Sequence, residues 1–485
     1  MNTKTPASVY GNPIPPRAQR LIALLKKHYE RAFPAGTPPL LAAEDEPFCA
    51  RCFTAKRIVQ THTPQAGDID DPQGIVIGTI RMGFGHARMS IALMSAACHL
   101  GLTPYWFDLV SFPDTAGAKT IRSLERWYNL ASRISQTSKR FNTYFWERIT
   151  SAMALPLSVS YQNKCLSELF APLYTHIAKD MPIICSHPWV AHGAVSAGFS
   201  TIINLVPDNL PLAFNIAEGS IHTVQSPSAY TGYRSFFGMD MKTPARHCLP
   251  KEVLYEVGHY VDHEIVYNIE KDCELRLRRA ADGESRRFLL TMGGAGAQIR
   301  RFIDIALYCK DALEAGKAQF FINFGDHTQQ CELFQKRLSQ AGLSWVMHTD
   351  WDDTEQFIQA AQKHPVQGAI HIFLFADFFP AVYATNLLMR ISDILITKPS
   401  ELSYYPVPKL FIHRVGRHEA WGAIRGSEIG DSTIETDYDT ALHRILDCCI
   451  MENDLIKLYC RHIIANKAAG IYDGAYNAVK LAMEL

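Results

Sequence analysis

Two glycine-rich turns, far apart in the chain, limit what it can fold into. In the second, Arg286-Arg-Phe-Leu-Leu-Thr-Met-Gly-Gly-Ala-Gly-Ala-Gln298, the run Phe288, Leu289 and Leu290 reads as a buried strand. It stops at Gly293, Gly294 and Gly296, and a helical pattern opens at about Ile299. In the first, Gly74-Ile-Val-Ile-Gly-Thr-Ile80 is the strand, Gly83-Phe84-Gly85-His86 the turn and Ala87 to Leu100 the helix. Strand, glycine turn and helix start make an arrangement in which bare backbone N–H groups and a helix N-terminus face an anion, usually phosphate. Such turns also occur with nothing bound, so each alone is a weak signal. Two of them in one chain imply two βα halves.

The length, 485 residues, suits two domains with an appendage. Hydrophobic content of 47% and charged content of 20% are those of an ordinary globular protein. The formal net charge of zero gives no electrostatic reason to expect nucleic acid. Twelve cysteines follow no disulfide-framework spacing, and Met1-Asn-Thr-Lys-Thr-Pro6 lacks the apolar core of a signal peptide. No apolar run approaches bilayer length. A cytoplasmic protein is expected, soluble or peripheral at the inner face of a membrane.

Residues 1–70 read as an N-terminal helical appendage and linker, with a helix from about Arg17 to Phe33 that Pro34 and Gly36 end. Cys49-Ala-Arg-Cys52 is a CxxC pair for which the sequence offers no second pair, so plain thiols are expected there rather than zinc. Residues 71–262 form the first βα series, with strands Tyr105–Val110, Ile183–Cys185, Thr201–Val206 and His222–Gln225. Residues 263–452 form the second, with strands Gln319–Phe324, Trp345–His348, Ile370–Phe375, Ile394–Thr397 and Leu410–His413, and 453–485 is helical. Buried strands alternating with helices indicate an α/β fold of parallel sheets, whose ligands bind where loops leave the carboxyl ends of strands.

An insertion at about 117–150 interrupts the first series. From Lys119 to Thr150 it carries seven Lys/Arg (Lys119, Arg122, Arg126, Arg133, Lys139, Arg140, Arg148) against Glu125 and Glu147. Trp127, Tyr128, Phe141, Tyr144, Phe145 and Trp146 interleave with them. The stretch 119–149 suits an anionic membrane surface or an amphiphilic acceptor. It equally suits a helical hairpin that buries its aromatics and leaves its charges solvated.

Several stretches together resemble one family. Gly83-Phe-Gly-His86 is similar to the loop that opens GT-B glycosyltransferases related to the peptidoglycan GlcNAc transferase and the diacylglycerol glycosyltransferases, the monogalactosyldiacylglycerol synthase-like group. Met292-Gly-Gly-Ala-Gly-Ala297 resembles their second glycine loop, and Ser392-Asp-Ile-Leu-Ile-Thr-Lys-Pro-Ser400 their Asp-x-x-Ile-x-Lys-Pro-Gly-Gly stretch. Gly416-Arg-His-Glu419, with Gly422-Ala423 and Glu428-Ile-Gly430, resembles the donor-holding segment that follows, and Gly258–Val261 the end of the first half. Two departures stand out. Ser400-Glu401 replaces the paired glycines, and only about ten residues separate Lys398 from Pro408, too few for the family's full helix.

The resemblance implies two Rossmann-like domains facing across a cleft, and a hexosyltransferase using a UDP-sugar or similar nucleotide-sugar as substrate. It implies no cofactor and no metal and an inverting displacement, while the basic aromatic insertion suggests a lipid or other amphiphilic acceptor. Gly293, Gly294, Ala295, Gly296, Ala297 and Gln298 would bind the donor phosphates. Lys398, Pro399, Ser400, Glu401 and Glu419 would hold its nucleotide or sugar, with Glu401 and Glu419 both candidates for the ribose carboxylate. Gly83, Phe84 and Gly85 would form the acceptor-side loop. His86, near neutral pKa, would take the acceptor proton or hydrogen-bond the phosphate, and Asp208 would orient that base or be the base. An N-cap role for His86, a turn-forming role for Asp208 and a surface role for Lys398 are the plain alternatives. His187 and His192 read as structural, and Asp350-Trp-Asp-Asp353 as a helix cap rather than a Mg²⁺ site. An epimerase or hydrolase of the same fold, or a catalytically silent nucleotide-sugar-binding protein, would share most of these features.

Overall fold

The strands read from apolar runs are the strands of two separate sheets. The computed structural model describes residues 7–62, 68–81, 83–124, 126, 154–239, 246–293, 296, 298–414, 416, 419–436 and 438–485. Of the basic aromatic insertion, Lys119, Arg122 and Arg126 fall within these; Arg133, Lys139, Arg140, Arg148, Glu125, Glu147 and the six aromatics lie outside the described residues. The chain divides into two units. The first comprises 1–82, 89–260 and 474–485, and the second Gly83–Arg88 with Val261–Asp473.

The first unit is built on β1 (Leu40–Asp45), β2 (Lys56–Thr61), β3 (Gly74–Thr79), β4 (Thr103–Asp108), β5 (Ile183–Cys185), β6 (Ile202–Leu205), β7 (Ile221–Val224) and β8 (Leu254–Glu256). Their order is β8-β7-β6-β5-β3-β4-β2-β1. All neighbours are parallel except the β1–β2 hairpin. Every residue of β3 is buried, as a central strand covered on both faces requires. Residues 40–61, expected within the appendage, instead extend this sheet. Ile58 and Leu41 are buried in its core, and β2 pairs with β4 at Lys56↔Tyr105. The alternation there is weak because an edge hairpin carries charges on its outer strand.

The helix α1 (Pro16–Ala32) begins with proline in its first turn and buries Ile22 and Tyr29. Helix α2 (Phe84–His99) follows β3, and α3 (Leu157–Ser167), α4 (Pro188–Ala197) and α5 (Pro227–Arg234) complete the βα crossovers. The last helix of the chain, Gly474–Glu484, returns to the first unit. Asn477 donates to the Val257 carbonyl at 2.9 Å, and a Cβ on Gly474 would lie 2.2 Å from the Gly258 carbonyl oxygen.

The second unit contains β9 (Arg286–Thr291), β10 (Ala318–Asn323), β11 (Val346–His348), β12 (Ile370–Phe373), β13 (Ile394–Thr397) and β14 (Lys409–Phe411). The order β11-β12-β10-β9-β13-β14 is wholly parallel, with Phe288 paired to Phe320 on one side and Ile394 on the other. Asp393, part of the family-like motif, is fully buried. It accepts from Arg279 Nη2 at 2.7 Å and from the Arg287 backbone at 2.9 Å, so it joins α6 (His263–Ala281) to β9 and β13. The architecture is α/β with two Rossmann-like units.

Candidate functional site

In the second unit the chain leaves β9 to one side through β10 and returns on the other at β13. This makes the β9–β13 boundary the switch point at which loops from the strand ends diverge. The glycine turn after β9 lies there. Gln298 has φ 78° and Gly296 φ 62°, so the chain turns through left-handed backbone before α7 (Ile299–Tyr308) starts. A Cβ on Gly296 would come within 2.8 Å of Gln330 Nε2 and 3.3 Å of His327 Nδ1. Gly294, Ala295 and Ala297 lie outside the described residues.

Three neighbouring loops hold this turn. From the end of β10, His327 Nε2 is 2.9 Å from the Gly293 carbonyl, which can only accept, so that nitrogen carries the proton. From β13, Lys398 reaches across the turn, its Cε 3.1 Å from where a Cβ on Gly293 would be. From β14, the His413 carbonyl accepts from Gln298 Nε2 at 2.6 Å. Lys398 is paired with Glu419, the first residue of the helix Glu419–Glu428, and Glu419 also accepts from the Gly416 backbone at 3.2 Å. Two residues singled out from separate motifs are therefore one ion pair.

Beside it stands a carboxylate that the sequence did not reveal. Glu435 accepts from the Arg414 backbone and from Arg414 Nη1, both at 2.7 Å, and lies 3.2 Å from His413 Nδ1. Its burial acts to raise its pKa, but the His413 and Arg414 bonds prevail and hold it at about 2. It therefore stays anionic and fixes the 412–414 strand end.

Pro399 and Ser400 continue from Lys398. The 3₁₀ turn Glu401–Tyr404 occupies the space too short for a full helix. Glu401 faces Arg88 and Gly85, and Gly83–Arg88 belongs to this unit. Phe84, expected on an acceptor-side loop, packs on Gly325 and lies 5.9 Å from the His327 ring and 5.8 Å from Phe378. His86 is half-buried in the first turn of α2, in the second unit. Asp208, half-buried past the end of β6, belongs to the first.

The residues read as structural are so. His187 caps α4, accepting from the Trp189 N–H at 3.1 Å. His192 lies 3.1 Å from the Ile216 carbonyl, and burial lowers its pKa to about 3. Asp350 caps the helix Trp351–Ala361 by accepting from the Asp353 N–H at 3.1 Å. No disulfide joins any of the twelve cysteines, all of which lie among the described residues.

Two family models match the chain in succession, DUF6937 over residues 8–235 and DUF6938 over 249–483. Both are described as domains of unknown function. No curated protein matches the chain. Among solved structures, the UDP-GlcNAc 2-epimerase of Neisseria meningitidis bound to UDP-GlcNAc aligns at 10% identity with a TM-score of 0.46, over 85% of this chain and 100% of that one. An α,α-trehalose 6-phosphate synthase from Burkholderia multivorans aligns at 11% and 0.43, over 84% and 98%. A glycosyltransferase from Rickettsia africae aligns at 13% and 0.39, over 85% and 98%. Among the described residues, no helix is long and apolar enough to cross a membrane.

Proposed function

We propose that the second unit binds a nucleotide-sugar and that the protein is a GT-B-type glycosyltransferase passing the sugar to an acceptor hydroxyl. One observation carries the reading: a lysine lies across a glycine turn at the switch point of a parallel sheet, where that turn opens a helix. Diphosphate needs positive potential as its bond to the sugar breaks, and Lys398, the turn's N–H groups and the N-terminus of α7 supply it without a metal. Glu419, already held by Lys398, is the carboxylate assigned to the donor's ribose or sugar hydroxyls. The acceptor oxygen forms the new bond at the anomeric carbon as the nucleoside diphosphate leaves, with inversion. Its proton goes to His86, with Asp208 as orienting group or alternative base. A lipid or amphiphilic acceptor, met at an anionic membrane surface, follows from the basic aromatic stretch 119–149.

The test is a thermal-shift screen of nucleotides and nucleotide-sugars on the full chain and on Lys398→Ala, followed by product analysis. Stabilisation by uridine nucleotides, weakened at least tenfold in apparent affinity by Lys398→Ala, is expected, with sugar transferred to a lipid acceptor in vesicles. No response to any nucleotide at millimolar concentration would sink the reading. Turnover of donor with no acceptor would identify an epimerase or hydrolase, and binding without turnover a silent nucleotide-sugar-binding protein.

A further inference from the structure

Glu401 stands where the family-like motif would have glycine, and its surroundings are not those of a ligand-facing carboxylate. Its Oε1 is 3.8 Å from Arg88 Nε, and Arg88 is only 3% exposed. A Cβ on Gly85 would lie 3.3 Å from Glu401 Oε2, so the carboxylate lies close against the backbone of the Gly83–His86 turn. Arg88 is itself enclosed. It donates from Nη1 to Asn386 Oδ1, and its guanidinium is 5.9 Å from the centre of the Tyr405 ring. The Tyr405 hydroxyl donates to Asp262 Oδ2 at 2.6 Å. Asn386, Tyr405 and Asp262 are buried. A buried arginine needs a counter-charge, and removing one partner of such a pair is costly because the other charge is left in a low-dielectric interior.

We infer that Glu401 is a positioning residue: with Arg88 it fixes the Gly83–His86 turn, and thereby His86, instead of binding the nucleotide. The replacement of glycine by glutamate at 401 and the presence of arginine at 88 are then one paired feature, which keeps the altered motif compatible with catalysis. This rests on the proposed function for the role of His86, while the geometry of the pair stands apart from it.

The test uses the full chain with histidines labelled at the Cε1 carbon, comparing Glu401→Gln, Arg88→Gln, the double variant and Arg88→Lys, which keeps the charge. Two quantities are read: UDP affinity by calorimetry, and the His86 imidazole resonance and its pH titration, assigned with His86→Gln. We expect UDP affinity within about threefold of the parent in Glu401→Gln. The His86 signal should move in both single variants and no further in the double, with Arg88→Lys nearer the parent. A tenfold or greater loss of UDP affinity in Glu401→Gln with an unmoved His86 signal would overturn the inference and make Glu401 a nucleotide ligand. An unmoved His86 signal in the single variants would overturn it whatever the affinity. If the parent binds no UDP, the proposed function fails, and the resonance arm still decides the positioning role.

Discussion

The strand that carries His413 and Arg414 to the candidate site begins at a lysine with no access to solvent. Lys409 Nζ is 2.7 Å from Asp431 Oδ1, both residues are fully buried, and the ammonium also donates to the Tyr405 and Val407 carbonyls at 2.7 and 3.2 Å. Asp431 accepts from the Tyr472 hydroxyl at 3.0 Å. Burial lowers the lysine pKa and raises that of the aspartate, and each partner's charge opposes the shift of the other. In Asp431→Asn the shape and the Tyr472 bond can persist while the counter-charge is lost. The folded variant then either keeps a buried unpaired ammonium or discharges it. Discharging a lysine of ordinary pKa about 10.4 costs about 1.36 kcal/mol per pH unit, so about 4.6 kcal/mol at pH 7 and about 1.9 kcal/mol at pH 9. That ceiling agrees with the roughly 3–5 kcal/mol lost when one member of a buried pair is removed. The sign follows from a folded-state pKa depressed below the unfolded one: the penalty is absent above the unfolded pKa and grows as pH falls. Urea unfolding of parent and variant at pH 7 and pH 9 reads it directly. We expect a loss of about 3–5 kcal/mol at pH 7 that falls below about 2 kcal/mol at pH 9. A loss under about 1 kcal/mol at pH 7, or an equal loss at both pH values, would show that the pair is not the buried, charged one described.

Two more predictions concern the turn and the histidines. Gly296→Val forces a β-branched residue into left-handed backbone, at a cost of roughly 1–2 kcal/mol, and drives its Cβ toward Gln330. Thermal unfolding should register that cost, and the variant should lose at least tenfold in UDP affinity; parent-like binding would remove the turn from the site. His192 and His222 are held neutral by burial, with pKa values lowered to about 3 and about 4. Their contribution to stability is complete above the unfolded-state pKa and is lost as pH falls from about 6.5 toward those values, by up to about 1.4 kcal/mol per pH unit for each. Replacing His222 with Gln should flatten the acid limb of a stability–pH curve, and an unchanged slope would refute the assignment.

Strands, their order of appearance and the glycine turns were legible because a parallel strand covered on both faces is buried along its length, as β3 and β9 are, and its middle reads as an apolar run, Ile75–Ile77 in one and Phe288–Leu290 in the other. Asp350 was legible as a cap because a capping aspartate acts within three residues. What could not be read is what depends on distant parts of the chain. Residues 40–61 show their place only through pairing with β4. His327 is marked as a site residue by the Gly293 carbonyl, and Glu435 by its bonds to His413 and Arg414, neither of which a local stretch of sequence displays. Lys398 and Glu419 appeared as two separate candidates although they neutralise each other.

That neutralisation bears on how the site works. Across the glycine turn proposed to take phosphate, a lysine paired to a carboxylate offers less potential than a lone ammonium would. The pair is useful if the ligand brings groups for both members: phosphate for Lys398 and hydroxyls for Glu419. A nucleotide-sugar carries both a few ångströms apart, whereas inorganic phosphate carries only the first and leaves the carboxylate to compete with it. On the proposed function, the arrangement would favour a sugar-bearing or ribose-bearing diphosphate over a bare anion. Glu435, anionic down to about pH 2 and bonded to His413 and Arg414, further limits the positive charge at this rim. On the proposed function, selectivity would come from matched pairs of donors and acceptors, not from an excess of cations.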